Sequence, residues 1–282
     1  MMSYNKGNFA DLHVHTIFSD GMFLPEEAVK TAVGLGLKAI AITDHDCIEG
    51  ITPAMEAAKN TDLEIIPGIE ISAYVEDTEI HLLGYFLDWQ EPSLVERLNR
   101  MKENRRKRMM KMIQRLQEQG LDISEQDVFE IDLRGTVGRL HLAHVMMEKG
   151  FISSTKEAFG KYIGGGKPCF VQHKRLDCTE AINMVIKAGG VPVLAHPGVS
   201  GVDKYIPVLV EAGIKGLEVY HTDHSSADND RYLKLTEKYS LLVTGGSDCH
   251  GMKKGSILMG RVRVSRDTVA KIRKESEKIR AR

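Results

Sequence analysis

The chain has one tryptophan, eight prolines and four cysteines in 282 residues, and no apolar run long enough to span a bilayer. Its opening stretch, Met1 to Ala10, contains Asn, Lys and Gly and lacks the apolar segment of a secretory signal. A membrane partner is therefore not expected, and the cytoplasm is the expected location. The cysteines, Cys47, Cys169, Cys178 and Cys249, show no C-x-x-C spacing in a chain large enough to do without disulfide staples, so reduced thiols are expected. An excess of either charge is missing too, the formal net charge being -1. That balance removes any whole-protein pull toward nucleic acid or a membrane surface, and leaves attraction of an anion to a local patch or a bound metal. Short internal repeats and low-complexity stretches are also missing from the sequence.

What is present is the composition of a soluble enzyme, 42% hydrophobic and 27% charged, in a length that suits one large domain or a domain carrying an insertion. Short β-branched runs alternate with helical stretches, the pattern of βα units about a parallel sheet. Strands are expected at 9–14, 38–43, 64–72 and 81–87. Pro25, Glu26 and Glu27 open a helix that Gly34 or Gly36 closes, and another is expected near 52–60. After Trp89 the pattern changes: 92–120 reads as a long charged helix, followed by helical segments at 124–130 and 136–149. Alternation resumes with strands at 191–195, 216–220 and 241–245, separated by helices near 179–188, 203–212 and 226–239. The expected fold is α/β, a distorted (β/α)7 barrel formed by residues 1–91 and 166–282, with a helical insertion at 92–165.

Two histidines two apart at a strand end point to the same side, so His13 and His15, in the sequence DLHVHTIFSDG, can chelate one ion. Alone, such a pair is weak evidence. The other strand ends give it weight: Thr43-Asp44-His45-Asp46, Glu70, His81, Ala195-His196-Pro197, Glu218 to His221, and Ser247-Asp248-Cys249-His250. In a β/α barrel the C-terminal strand ends share one rim, so residues far apart in sequence converge there. A lone histidine is usually a satisfied imidazole, but that account would have to repeat itself at His13, His15, His45, His81, His196 and His250. Imidazole and carboxylate without thiolate suit manganese, iron or zinc, and Cys47 and Cys249 read as packing residues. So many ligands suit two or three divalent transition-metal ions, manganese first, with Glu70 the natural bridging carboxylate. Closely spaced ions activate water and stabilise the attacking and leaving oxygens of phosphoryl displacement, so the inferred chemistry is hydrolysis.

In their order these motifs resemble those of the PHP (polymerase and histidinol phosphatase) superfamily: an H-x-H-x-x-x-S-D opening, T-D-H, a strand-end Glu, a His, A-H-P and a closing S-D-x-H. The resemblance implies a trinuclear site. One ion would be held by His13, His15, Glu70 and Asp248, a second by Glu70, His81 and His196, and a third by Asp20, His45 and His250. Within the superfamily the chain is similar to the subgroup of nucleoside 3′,5′-bisphosphate phosphatases that also trim short RNA from the 5′ end. The segments that carry this likeness are 81–86, the helical insertion, its Gly138-Arg139-x-His141-x-Ala143 sequence, and Gly164 to Pro168. Two positions depart from the subgroup, Leu140 where proline is common and Cys249 where an aromatic is frequent, and neither is expected to ligate metal.

On the substrate side, Arg139 falls in the first turn of a helix that Thr136 would cap, where free amides and a guanidinium suit a phosphate. A plain surface arginine is the alternative. Lys167, after three glycines, reads as approaching substrate or as part of a hinge. His221 and His224 flank Asp223 and suit phosphate binding or protonation of a leaving group, with His224 the substrate-facing choice. The basic run Arg97, Arg100, Lys102, Arg105, Arg106, Lys107, Arg108 and Lys111 reads as a solvated helix face before it reads as a polyanion track. The expected activity is hydrolysis of the 3′-phosphate of nucleoside 3′,5′-bisphosphates, with trimming of short RNA, and no obligate protein partner is expected. The alternatives are a histidinol-phosphatase-like monoesterase and a non-catalytic metal-binding module. The complete ligand set argues against the last.

Overall fold

A computed structural model of the chain describes residues 8–129, 138–172, 175–253 and 256–282. It divides into two compact units, Met1–Glu96 with Arg175–Arg282, and Arg97–Lys174. The first opens with β1 (Phe9–Val14), α1 (Pro25–Gly34), β2 (Ala39–Ile42), α2 (Ile51–Ala58), β3 (Glu64–Val75) and β4 (Thr78–Tyr85). The long α3 (Pro92–Glu118) carries the chain into the second unit, which holds α4 (Glu125–Phe129), α5 (Arg139–Glu148), α6 (Thr155–Ala158) and a π-helical turn at Phe159–Ile163. The first unit resumes with α7 (Cys178–Lys187), β5 (Val191–Leu194), α8 (Pro197–Ser200), α9 (Ile206–Ala212), β6 (Gly216–His221), α10 (Ser226–Tyr239) and β7 (Leu242–Gly246). A small hairpin of β8 (Met252–Lys253) and β9 (Ser256–Ile257), then β10 (Val264–Ser265) and α11 (Arg266–Arg280), complete it.

Among the described residues one sheet runs in the order β10-β1-β2-β3-β4-β5-β6-β7. A parallel bridge between Val14 and Cys249 returns the segment after β7 to β1, so the barrel nearly closes. The structure departs from the all-parallel expectation at β4, which runs antiparallel to both β3 and β5. A two-residue turn explains the reversal, because Val75 pairs with Thr78 and leaves only Glu76 and Asp77 between the strands. Glu76 takes the left-handed conformation that such a tight turn demands (φ 53°). β3 is also longer than expected, so Glu70 sits in mid-strand rather than at a strand end.

Alternation along the strands sorts the apolar residues. On β2, Ile40 and Ile42 pack with Ala28, Val29 and Ala32 of α1 and with Ile51 and Ala54 of α2. Ala39 and Ala41, on the other face, join Leu83, Tyr85, Val191 and Val193, where small residues of one strand make room for large ones of another. α11 has no counterpart in the expected elements. Ser265 caps it by accepting the Thr268 N–H, and Val269, Ile272, Ser276 and Ile279 form its buried stripe. The Ser276 hydroxyl donates to the Gly189 carbonyl (2.7 Å), and Arg266 and Arg273 both pair with Glu64. Gly189 precedes β5, Glu64 begins β3, and Phe86, whose carbonyl Arg280 engages, follows the reversed β4. α11 therefore covers the barrel mouth opposite the C-terminal ends of the parallel strands.

The second unit has its own core, in which Met109, Met112, Ile113 and Leu116 of α3 pack with Val128, Leu142, Val145, Met146 and Ile163. The helix expected from residue 136 starts at Arg139 with Gly138 in the capping position, and Thr136 lies outside the described residues. None of the described helices is long and apolar enough to cross a membrane.

Closure by α11 is testable through Ile272, which is 1% exposed. Ile272→Ala should destabilise the protein by about 2–4 kcal/mol through lost burial and a cavity, whereas the adjacent exposed Lys271→Ala should stay within about 0.5 kcal/mol. Urea unfolding of the two variants measures this, and equal midpoints would mean that α11 is not part of the barrel core.

Candidate metal centre

The centre is organised about the Glu70 carboxylate, which is 1% exposed. Its Oε2 faces His13 Nε2 (3.1 Å), His15 Nε2 (3.2 Å) and His45 Nδ1 (3.3 Å). Its Oε1 faces His81 Nδ1 and His196 Nε2, each at 2.9 Å. β1 delivers His13 and His15, the segment after β2 delivers His45, and the segment after β5 delivers His196. His81 reaches the same rim by the opposite route. β4 runs backwards, so its N-terminal half lies at the end where the parallel strands finish, and His81 pairs there with Ser72 of β3.

Farther out, Asp248 Oδ1 lies 3.3 Å from His13 Nε2 and 3.1 Å from His15 Nε2. Asp20, the most exposed of these groups, meets His250 Nε2 at 3.2 Å and His45 Nε2 at 3.8 Å. Three sets of donor atoms each fall within 4.8 Å of one another: His13, His15, Glu70 and Asp248; His15, Asp20, His45 and His250; and His45, Glu70 and His81. His196 lies outside these sets, although it touches Glu70. All nine residues expected as ligands thus gather at one mouth.

The donor chemistry fits metal ions better than protons. His13 Nδ1 is 2.9 Å from Glu218 Oε1, so its ring N–H donates there, and the lone pair on Nε2 points at two carboxylate oxygens. Lone pairs aimed at one another repel unless a cation lies between them. Buried His15 Nε2 and His45 Nδ1 lack a hydrogen-bond partner, as does His221 Nε2. Such orphaned nitrogens are costly in a core and are natural ligand atoms.

Without a cation the burden falls on protonation. Burial would lower the His15 pKa, yet the Asp248 and Glu70 carboxylates beside it raise it to about 10, and Glu218, Glu70 and Asp248 raise His13 well above its ordinary value against the same burial. His45 goes the other way, because burial lowers it to about 4. Burial opposes ionisation of Glu70 as well, but His45, His13 and His81 hold its carboxyl well below the usual carboxylate range.

Several groups hold the ligands without joining them. Glu218 accepts the His196 backbone N–H (2.9 Å) as well as the His13 ring N–H. Asp11 accepts backbone N–H groups from Ser247 and Gly260 (both 2.8 Å), tying β1 to the loop that carries Asp248. Asp44 accepts from the Thr16 backbone, the Thr16 hydroxyl and the Ser19 hydroxyl (each 2.7 Å), and so steadies the loop bearing Asp20. The acids of D-x-H-x-H and T-D-H were visible in sequence, but their orienting role was not. His196 (φ 25°) and Asp248 (φ 52°) hold left-handed backbone, a strained conformation that the surrounding hydrogen bonds maintain. Gly246 must be glycine, since a Cβ there would fall 2.4 Å from the His13 backbone nitrogen.

The structure does not match the substrate-facing role expected of His224. Its Nδ1 donates to the Val219 carbonyl (2.8 Å), and its Nε2 accepts the Gly198 N–H (3.1 Å), so both ring nitrogens are consumed by backbone. His221, instead, belongs to the cluster. In the second unit Arg139 begins α5, half-buried, with its guanidinium 5.4 Å from the Phe159 ring centre and 5.7 Å from that of Phe170. Lys167 is exposed. Members of the basic run on α3 turn to their own unit: Arg106 stacks on Phe129, Arg108 Nε donates to the Val171 carbonyl, and Lys107 pairs with Glu103.

Comparison with known proteins gives this site a context. The PHP domain family model matches residues 11–162. The chain is 31% identical to phosphoribosyl 1,2-cyclic phosphate 1,2-diphosphodiesterase of Eggerthella lenta, over 86% of this chain and 94% of that protein. It is 29% identical to 3′,5′-nucleoside bisphosphate phosphatase of Chromobacterium violaceum (87% and 88%) and 33% identical to 5′-3′ exoribonuclease Rnm of Escherichia coli (89% and 88%). A candidate metal-dependent phosphoesterase of Bifidobacterium adolescentis has a crystal structure that superposes with a TM-score of 0.81 at 32% identity, covering 94% of this chain and 96% of that one.

Raised histidines must lose protons before they can ligate. Between their ordinary value near 6.5 and about 10 for His15, the ion-free site carries protons that an incoming ion displaces, so affinity must rise with pH across that window. Manganese affinity should therefore tighten from pH 6.5 to pH 8.5, with proton release detectable by calorimetry in buffers of different ionisation enthalpy. A flat profile, corrected for the competing chelator, would show that His13 and His15 are already neutral in the ion-free protein.

Proposed function

The chain belongs to the PHP domain family, and from that membership we propose that its metal centre removes the 3′-phosphate of nucleoside 3′,5′-bisphosphates and trims short RNA from the 5′ end. The observation that carries this reading is the division of Glu70, whose two oxygens face two separate sets of imidazoles as a carboxylate bridging two ions would. The donor set of imidazole and carboxylate favours manganese, with iron or zinc as alternatives. Bound there, the ions supply an activated water and charge stabilisation for in-line displacement at phosphorus. The chain itself fixes that geometry: His13 and His15 are fully buried, Glu218 sets the His13 tautomer, and Asp20 is the ligand nearest solvent. Nine ligands with exposure at the Asp20 side suit a catalytic centre better than a closed structural one.

The bisphosphate and RNA substrates are supported by the names of the Chromobacterium and Escherichia relatives and by the chain's coverage of both. A second reading, hydrolysis of a ribosyl 1,2-cyclic phosphate, is favoured by the Eggerthella relative at comparable identity. A phosphate-release panel of adenosine 3′,5′-bisphosphate, ribosyl cyclic phosphate, histidinol phosphate and short oligoribonucleotides, with manganese present, separates the two. Turnover of none of them would remove the reading. Asp248→Asn exchanges an anionic ligand for a neutral one, and activity on the best substrate should fall about a hundredfold or more, beyond the 10–100-fold typical of outer partners.

Arg139 is our proposed anchor for the phosphate that does not react. Its guanidinium is held by two aromatic rings at a helix N-terminus, an arrangement that presents fixed positive charge. Arg139→Ala should lower kcat/KM for adenosine 3′,5′-bisphosphate by about 2 kcal/mol, roughly 30-fold, and activity on an aryl monophosphate much less. Equal losses on both substrates would assign Arg139 to the reacting phosphate, and no loss on either would return it to the surface.

A further inference from the structure

Neither β6 nor the segment after it supplies any of the nine expected ligands, yet β6 sends two side chains into the cluster. Glu218 is one, and its role in orienting His13 is described above. The other is His221, whose side chain is 1% exposed. Its ring lies tilted against those of His13, His196 and His224, with centroid separations of 6.3, 5.4 and 5.3 Å.

The tautomer of His221 follows from its neighbours. The Asp223 backbone N–H points at Nδ1 (3.1 Å), which must therefore accept, so the ring proton of neutral His221 is on Nε2. A nitrogen carrying a proton offers no lone pair to a metal, which removes His221 as a tenth ligand. What Nε2 faces is Asp248 Oδ2, at 3.4 Å, a contact not closed into a hydrogen bond and the nearest carboxylate oxygen paired with that nitrogen. The other oxygen of the same carboxylate, Oδ1, is turned toward His13 and His15. The loops are tied as well, because the Thr222 hydroxyl donates to the Ser247 carbonyl (3.1 Å), so the segment after β6 holds the segment after β7 through consecutive residues.

We propose that His221 is a positioning residue of the metal centre: its Nε2–H holds Oδ2 of Asp248, so that Oδ1 stays turned toward the ion shared with His13, His15 and Glu70. The need for such a hold comes from the backbone. Asp248 sits in the left-handed region (φ 52°), and rotation about its side-chain bonds would swing the carboxylate out of the set. A donor at Oδ2 removes that freedom, as outer partners of ligating groups commonly do. The role rests on the metal-centre reading, and the experiment keeps the two apart.

Manganese affinity is measured by competition against a fluorescent chelator for wild type, His221→Phe and His221→Gln, and for Asp248→Asn with and without His221→Phe. Thermal unfolding of each ion-free protein checks the fold. His221→Phe, which fills the space without a donor, should weaken the tightest ion by about 10–100-fold. His221→Gln, which keeps an N–H, should recover most of that loss, and in the Asp248→Asn background His221→Phe should add little. Should the Phe variant not fold, His221→Asn, too short to reach the carboxylate, takes its place with the same expected loss. Wild-type affinity in the Phe variant, a Gln variant as weak as Phe, or an equal further loss in the Asp248→Asn background would each overturn the positioning role. A wild-type protein that binds no ion would overturn this role and the metal centre together.

Discussion

A carboxylate buried to the degree of Glu70 costs several kcal/mol unless it is paired, and the rest of the molecule is arranged to pair it. Its five imidazole partners come from four places in the chain, so no local segment can satisfy it. A sheet curled into a nearly closed barrel brings the ends of β1, β2 and β5 and the start of β4 to one rim. The Glu70 backbone is fixed on both sides, since its N–H donates to the Asp44 carbonyl and its carbonyl accepts the Asp46 N–H, while Leu83 pairs with it across β4. The carboxylate therefore cannot swing away, and the imidazoles must come to it. That constraint accounts for the cost borne elsewhere: left-handed backbone at His196 and Asp248, and a glycine at 246 where β7 presses on His13.

Much of this could be read from residue order. The run from Phe9 to Val14 has the strand bounds expected of it, α10 spans Ser226 to Tyr239 as its pattern indicates, and most of the nine expected ligands lie near or beyond the ends of the parallel strands, Glu70 in mid-β3 and His81 within β4 being the departures. His81 joins the rim, but not from the C-terminal strand end that its place in the sequence suggests: β4 is reversed and His81 lies in its N-terminal half. The turn at Glu76 and Asp77 carries no glycine or asparagine to announce a tight hairpin, so nothing local signalled the reversal. α11 was missed for a different reason: its stripe of Val269, Ile272, Ser276 and Ile279 is interrupted by a serine, whose burial makes sense only against the Gly189 carbonyl. His221 and His224 were indistinguishable in sequence, because what separates them is which backbone groups meet each ring.

The three donor sets overlap pairwise, sharing His15, His45 and Glu70. Sharing has different consequences for the two residue types. A carboxylate has two oxygens and can bridge, and Glu70 already divides them between His13, His15 and His45 on one side and His81 and His196 on the other. A neutral imidazole has one free lone pair and serves one ion. His15 settles its allegiance through Ser19, whose hydroxyl lies 3.4 Å from Nδ1: with the ring proton there, the lone pair on Nε2 points to Glu70 and Asp248. His45 has no such neighbour. Its Nδ1 faces Glu70 at 3.3 Å and its Nε2 faces Asp20 at 3.8 Å, so it completes either the set with Glu70 and His81 or the set with Asp20 and His250. Where His45 joins Asp20, the Glu70 and His81 pair would take its third donor from His196, which touches the same Glu70 oxygen as His81. How these donors would divide among ions thus turns on one ring, and His196 is placed to take its position beside Glu70 and His81.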